Sequence, residues 1–372
     1  MKDKVLVSLC LALLGTLLTL GLWPFHAPQN QVDWIAHGNG LRFGTYGTVL
    51  SLAPFPVTNP RDSADASIEV WLEPRRIWDS GTFLAFSPFP GDPAFSLRQS
   101  QTDVTVRSEG CDAQYHCHPA NLYIKNVFRS WHPVFLTVTA GRQDVSVYLD
   151  GALALTQSGF PLSARSVSGR LVLGGSPRQP DGWSGRLLGV AVYQTRLSGE
   201  QALQNYTRWT GYGMPEIAEE ERLIALYTFD EHRGRLVRDH SGHGRDLIIP
   251  ERYQVPDKIA LEPFWTEFEM TRSYSDAVVK NVVGFIPLGL CFCAYFSRLL
   301  PGKRAAMVTV VCGASVSFAI EILQAFLPTR DSGTTDIITN TIGTWVGVML
   351  YRARVPLVIR LLSRPPVCPR PK

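Results

Sequence analysis

The sequence predicts a multi-domain chain: an α-helical transmembrane bundle of about four spans, with an all-β jelly-roll sandwich inserted after the first span. Three observations carry this expectation. Four stretches hold no charged residue, namely Val5 to Trp23, Asn281 to Ser297, Ala305 to Ile320 and Ile337 to Tyr351; runs nearing the roughly 20 apolar residues that cross a bilayer read as spans. Between about His26 and Asp276 the chain is instead rich in Gly, Pro and aromatic residues, and from Ala66 onward apolar positions alternate with polar ones between turn signals, as in half-buried antiparallel strands. Lys and Arg gather just outside the apolar runs, where they orient spans.

The first run begins behind Lys2 and Lys4 and has the basic start of a secretory signal. Trp23-Pro24-Phe25-His26 stands where a small-residue cleavage site would be needed, so residues 1–24 are expected to remain as a membrane anchor. The shorter later runs reach bilayer length with flanking residues or by tilting. Arg298, Lys303 and Arg304 lie between the second and third runs, and Arg352, Arg354, Arg360, Arg364, Arg370 and Lys372 follow the fourth. By the positive-inside rule these segments and both termini are cytoplasmic. Pro24 to about Asp276 and the short Leu327 to Thr335 loop then lie outside, in a multi-pass protein of the plasma membrane. The formal net charge is +4, and no nucleic-acid partner is expected.

Cysteine placement agrees with this scheme. Cys10, Cys291, Cys293 and Cys312 fall in apolar runs and Cys368 in the basic tail, leaving Cys111 and Cys117 as the outer pair. Disulfides persist outside the cytoplasm, so this pair is expected to clamp a loop; a metal site from Cys111, His116, Cys117 and His118 is the alternative.

Within the outer region, Ile68, Val70 and Leu72 share one face of a strand, as do Val134, Leu136 and Val138, then Val145, Val147 and Leu149, and then Leu188, Val190 and Val192. Asp150-Gly151 is a favoured two-residue hairpin turn. Many short strands with Gly-rich turns indicate a sandwich or jelly roll. The stretches "SIEVWLEP", "VSVYLDGALAL", "GRLVLGGSP" and "WSGRLLGVAVYQTRLSGEQ" resemble, in order, the signatures of the laminin-G-like, concanavalin A-like lectin/glucanase family. The domain is expected over 33–257, with its core at 38–210. The segment at 223–250 resembles the strand pair that opens such domains, and reads either as an edge of the same sandwich or as a truncated second repeat.

That family holds glycan binders and glycosidases. Retaining glycosidases need two carboxylates about 5 Å apart, and no Glu-x-Asp-x-Glu run occurs; Glu69 and Glu73, flanking Trp71, are expected to face solvent. The domain is read as non-catalytic. Trp78, Trp131 and Trp183, with Tyr115 and Trp209, are candidate sugar-stacking platforms, against the plainer reading that they are core residues. Asp181, Asp230 and Asp239 in Gly-rich loops are candidate Ca²⁺ ligands, Ca²⁺ being the one cofactor considered, or simply turn formers. His232, His240 and His243 read as solvated loop residues.

After this region, Pro263, Trp265 and Phe268 suit a membrane interface. "DAVVKNVVGFIPLGL" and "EILQAFLPTRDSGTTDIITNTIGTWVG" resemble the VanZ-like family, associated with resistance to glycopeptide antibiotics such as teicoplanin. Asn281, Pro287, Gly289, Glu321, Gln324, Arg330, Asp336, Asn340, Gly343 and Gly347 stand in family order. The VanZ-like domain is expected over 262–354, followed by a basic cytoplasmic tail at 355–372.

The residues themselves converge as well. At ~1.5 Å per residue, Glu321 lies about 24 Å along a helix starting near Ala305, while Asn281, Asp336 and Asn340 sit near the outer ends of their helices, so the polar groups share one depth. Gln324 follows Glu321 at i+3, and Asp336, Asn340, Gly343 and Gly347 form one stripe. Such groups are costly in a membrane unless paired or watered; they either staple short helices or form a ligand or catalytic site. The Gly343-x-x-x-Gly347 spacing serves packing within a bundle or between copies, leaving the oligomeric state open.

Three functions are compatible with this layout. The sandwich binds envelope glycan, a peptidoglycan precursor or a glycopeptide while the bundle anchors it among membrane lipid. Alternatively, the bundle is an enzyme or carrier for a lipid-linked (polyprenyl) substrate, with Glu321 or Asp336 as acid/base and Arg330 holding a phosphate. In the third, the chain is an adhesion or scaffold protein.

Overall fold

The computed structural model describes residues 2–56, 65–87, 95–111, 117–129, 132–141, 144–211, 222–267 and 272–362, with the side chains of 2–3, 109–111, 117–119, 266–267, 272–273 and 354–362 outside that description. It divides into two compact units, Ala27–Lys258 and the combination of Met1–His26 with Ile259–Lys372.

Ala27–Lys258 is built from two antiparallel sheets. The first runs β1 (Val32–Trp34), β2 (Leu41–Phe43), β13 (Gly185–Tyr193), β4 (Ala66–Pro74), β9 (Val134–Ala140), β10 (Asp144–Leu149) and β11 (Ala152–Ser158), with β14 (Leu223–Tyr227) also on β13. The second runs β15 (Leu236–Val237), β16 (Leu247–Ile248), β3 (Val49–Ser51), β12 (Arg170–Leu173), β5 (Ser80–Ser87), β6 (Phe95–Ser100), β7 (Asp103–Cys111) and β8 (Cys117–Ile124). The 223–250 segment thus feeds both sheets of one sandwich: β14 pairs with β13, and β16 with β3.

The alternation of apolar residues becomes packing directly. Ile68, Val70 and Leu72 on β4, with Leu136, Val138, Val145 and Val147, join the buried core, where each such side chain stabilises the fold by roughly 1.5–3 kcal/mol. The β10–β11 turn is closed by Asp150 and Gly151 at φ 50° and 77°. Positive φ at both centres matches the twist of the flanking strands, and Asp150 Oδ1 accepts the Phe135 N–H at 2.9 Å.

Strand β13 departs from strict alternation. A register shift between Leu187 and Gly189 puts Leu187 in the core with Val190 and Val192, while Leu188, expected on that face, is only half-buried. A bulge displaces one residue and restores the alternation beyond it. Gly189 is required there, because a Cβ would strike the Trp209 ring.

Trp209 belongs to α2 (Gly199–Thr210), whose start is a capping box: the Gln201 N–H donates to Ser198 Oγ at 3.2 Å and the Ser198 N–H to Gln201 Oε1 at 2.9 Å. Its Ala202, Asn205 and Trp209 are buried, and Tyr206 and Trp209 pack on Phe135 with ring centroids 6.0 Å apart. The helix covers the outer face of β4 and overturns the expectation that Glu69 faces solvent. Glu69 is 0% exposed, its carboxylate taking the Tyr193 hydroxyl at 2.6 Å and the Asn205 amide at 3.3 Å. A buried carboxylate persists only with such donors.

The other unit holds α1 (Lys2–Leu22), α3 (Phe264–Glu267), α4 (Arg272–Phe296), α5 (Gly302–Ala325) and α6 (Thr334–Leu362). Among the described residues, three helices are long and apolar enough to cross a membrane: Lys4–Leu22, Tyr274–Phe296 and Gly302–Ala325. The fourth expected span, α6, is long but carries Asp336, Asn340 and several threonines. Thr339, Asn340 and Thr344 are buried, so these polar groups point into the unit and lower the helix's apolarity without facing lipid.

Trp209→Ala is expected to destabilise the sandwich by about 3–5 kcal/mol, the usual loss for a buried Trp. Denaturant unfolding of the purified full chain, followed by Trp fluorescence, measures it.

Candidate functional site

The polar residues singled out in the VanZ-like stretch come together where α1 and α5 end and α6 begins. The last carbonyls of a helix lack intrahelical partners, and those of α1 are taken up here. Gln324 Nε2 donates to the Gly21 carbonyl at 2.8 Å, and Arg330 donates from Nε to the Trp23 carbonyl at 2.9 Å and from Nη2 to that of Leu20 at 3.1 Å. A guanidinium at a helix C-terminus also meets the negative end of the helix dipole. Arg330 therefore caps α1.

Glu321 performs the converse task on α6. It is 1% exposed, and its Oε2 accepts the Gly333 N–H at 2.8 Å, beside the N-terminus of α6, while Ser332 Oγ donates to the Glu321 carbonyl at 2.8 Å. Asp336, in the first turn of α6, accepts from Asn281 Nδ2 of α4 at 2.7 Å. One turn deeper, Asn340 Nδ2 donates to Ser317 Oγ of α5 at 2.9 Å. The Oδ1 of Asn340 is buried and has no hydrogen-bond partner among the described residues. Helix α6 thus presents Asp336 to α4 and Asn340 to α5.

Backbone proximity makes this possible. A Cβ at Gly343 would collide with the Val282 carbonyl, one at Gly347 with that of Ile286, and one at Gly289 with that of Thr344. These glycines let α4 and α6 meet backbone to backbone, the close approach that small residues permit between membrane helices. Pro287 lies inside α4, next to that contact. Sequence reasoning missed Ser317, Ser332 and Gly333 as partners. The Gly313, Ser317, Glu321 series at steps of four, which marks one face of α5, was the available signal.

The candidates in the sandwich fare unequally. Trp78 is 70% exposed and open to a ligand. Trp183 is 1% exposed and donates from Nε1 to Gln99 Oε1 at 2.7 Å, and Trp209 is 5% exposed; neither ring face is open to a sugar, because each fills the core or the α2 contact. Trp131 and Tyr115 lie outside the described residues, as do Phe268 and His116. The Cys111 and Cys117 side chains also lie outside them, although the β7–β8 register sets the two residues opposite each other.

Nor do the three expected Ca²⁺ ligands form one site. Asp181 binds Arg98 and takes the Thr82 hydroxyl at 2.6 Å. Asp239 accepts the N–H groups of Leu226, Ser241 and Arg245 at 2.9–3.0 Å. Burial pushes the Asp239 carboxyl up, but the Arg245 N–H, the Ser241 hydroxyl and N–H and the Leu226 N–H outweigh it and hold the group below its ordinary value. Asp230 instead lies with Glu231 and His240. Elsewhere, the hydrogen bond from Arg196 holds Asp144 below the usual carboxylate range.

Comparison with known proteins agrees with both resemblances read from the sequence. Residues 225–359 match the VanZ/LLP1 family model, a match that begins within the strands completing the sandwich, and residues 43–202 match that of the concanavalin A-like lectin/glucanases superfamily. Over 86 residues the chain is 33% identical to Protein VanZ of Enterococcus faecium, covering 23% of this chain and 50% of that protein; the chain spans half the length of the curated relative it matches. Solved structures with some likeness include a candidate carbohydrate-binding protein from Bacteroides ovatus, 12% identical with a TM-score of 0.38 over 62% of each chain. Another is a SAP-like pentraxin from Limulus polyphemus, 10% identical with a TM-score of 0.36 over 61% of this chain and 94% of that one. Likeness at this level says nothing of ligand. The chain combines a VanZ-like domain with a domain of the concanavalin A-like lectin/glucanases type, and the homology together with its apolar helices makes it a membrane protein.

Asp239, with its folded pKa held below the ordinary 3.8, contributes stability that is present above that value and lost as pH falls through the folded pKa. Unfolding measured between pH 7 and pH 2 is expected to show a loss in this window. Asp239→Asn should lower stability at pH 7 by about 1–3 kcal/mol, as expected for bonds to a charged acceptor, and flatten the acid limb.

Proposed function

We propose that this protein is a cell-envelope protein of the plasma membrane whose sandwich binds envelope glycan without cleaving it, while the VanZ-like helices hold it in the membrane. The observation that carries this reading is the joining, in one chain, of a VanZ-like domain to a lectin-like domain. The Lys and Arg clusters outside the apolar runs support cytoplasmic termini and an extracytoplasmic sandwich. Within this proposal, residues 1–24 are the first span, 33–257 the sandwich, 262–354 the VanZ-like domain and 355–372 a cytoplasmic tail.

A binding role rather than hydrolysis fits the buried state of Glu69, which is committed to Tyr193 and Asn205 and unavailable to a sugar. Trp78 is the platform we assign to glycan, since aromatic faces stack on sugars when exposed. Its ligand class is envelope glycan, a peptidoglycan precursor or a glycopeptide, and a contribution to teicoplanin-like resistance belongs to the same proposal. A second reading is favoured by Asn340, whose unpartnered Oδ1 offers an acceptor one helical turn from Asp336: the helices handle a lipid-linked substrate there, with Glu321 or Asp336 as acid/base and Arg330 holding a phosphate.

The full chain in detergent is expected to be retained on peptidoglycan, with Trp78→Ala lowering retention about tenfold, the equivalent of ~1.4 kcal/mol. Absence of retention by the unaltered chain removes the glycan reading. In a glycopeptide susceptibility assay, loss of resistance in Glu321→Gln at unchanged protein level supports the second reading, whereas a fallen protein level assigns Glu321 to helix stapling.

The opposed register of Cys111 and Cys117 supports a disulfide in an oxidising compartment. A non-reducing peptide map should show the two cysteines linked; alkylation of both without prior reduction would exclude it.

A further inference from the structure

The strands that close the sandwich bring together three side chains from two loops. Asp230 and Glu231 follow β14, and His240 follows β15. The His240 loop is held in place by Asp239, whose carboxylate collects three backbone N–H groups and whose own N–H donates to Asp246 Oδ1 at 2.9 Å. The His240 N–H donates to the Leu226 carbonyl at 2.8 Å, fixing the histidine to β14 itself. As a result His240 Nε2 lies 3.2 Å from Asp230 Oδ1, and one ligand atom each from Asp230, Glu231 and His240 lie within 4.8 Å of one another.

Glu231 adds an independent observation. Its Oε1 accepts the Arg238 N–H at 2.5 Å, whereas its Oε2 is buried with no hydrogen-bond partner among the described residues. A buried carboxylate oxygen without a donor costs free energy, and a cation is the partner that removes the cost. The neighbouring side chains of His240 and Asp230 are 27% and 29% exposed, open enough for an ion to enter and enclosed enough to hold it.

We propose that Asp230, Glu231 and His240 form a binding site for a divalent transition-metal ion, zinc foremost. The donor set decides the class. Ca²⁺ and Mg²⁺ take oxygen ligands, whereas an imidazole with two carboxylates suits Zn²⁺. Around a tetrahedral ion with bonds of roughly 2.0–2.2 Å, ligand atoms stand about 3.4 Å apart, a separation these atoms reach by small side-chain movements. Three protein ligands leave a fourth position for water or an outside ligand. The ion replaces the Asp230–His240 hydrogen bond, engages Glu231 Oε2 and ties the loop after β14 to the loop after β15. This site is independent of the glycan reading and differs in composition from the Ca²⁺ set expected from sequence.

The test uses the metal alone on the full chain in detergent, stripped with a chelator and titrated with ZnCl₂ or CaCl₂ at pH 7.5, with calorimetry, thermal unfolding and X-ray absorption as readouts. One zinc is expected to bind, raise Tm and show only nitrogen and oxygen neighbours, with weaker or no response to calcium. His240→Ala and Glu231→Gln should each weaken binding by more than the roughly 10–100-fold that an outer-shell partner is worth. His243→Ala, in the same loop but outside the set, should leave it unchanged. Zinc affinity that survives both ligand variants, sulfur in the coordination shell, tighter calcium binding at these residues, or no zinc binding by the unaltered chain overturns the proposal. Should His240→Ala unfold the protein, the Glu231→Gln titration decides, because it keeps the shape of the side chain.

Discussion

The backbone contact between α4 and α6 is the constraint on which the helical unit depends. Side chains at Gly289, Gly343 or Gly347 would strike carbonyls of the facing helix, so three residues without Cβ atoms set the helix separation. Once α6 lies that close to α4, Asp336 reaches Asn281, and Asn340, one turn further along the same face of α6, reaches Ser317 of α5. Glu321 then receives the Gly333 N–H just before α6 begins. Burying such polar groups without partners is costly, so the contact and the hydrogen bonds have to form together.

The same accounting applies to the sandwich. Glu69 on β4 would leave a buried carboxyl group unsatisfied without Tyr193 and Asn205, and Asn205 is present because the Ser198–Gln201 capping box starts α2 in the right place. The bulge in β13 brings Gly189 under Trp209. Trp183, buried like Trp209, reaches Gln99 with its one donor. The rings of Trp183 and Trp209 are thus taken up in packing, whereas that of Trp78 is exposed.

This division bears on function. In the helical unit, Arg330, Gln324, Glu321 and Asn281 each make a bond that ties one helix to the next or to its flanking loop, so their placement serves assembly at least as much as chemistry. Asn340 also leaves one of its buried atoms over. In the sandwich Glu231 Oε2 is one of several buried atoms left over, and it lies beside Asp230 and His240. Unspent polar atoms in otherwise satisfied surroundings are where a ligand has something to gain.

The sequence by itself determined the architecture. Charge-free runs, period-two alternation and the Asp150-Gly151 turn follow from local rules of burial and backbone conformation, which act over a few residues and are legible without a fold. It also named most of the polar set at the helix ends, since i, i+3 and i, i+4 spacings are local. Only the tertiary structure decided which tryptophans are buried, that Glu69 lies under a helix, that Asp181, Asp230 and Asp239 serve separate networks, and that Glu231 and His240 join Asp230. Those outcomes depend on which strand lies beside which and on a one-residue bulge. The partner of a polar atom is chosen by contacts between residues far apart in the chain, and no local pattern encodes that choice.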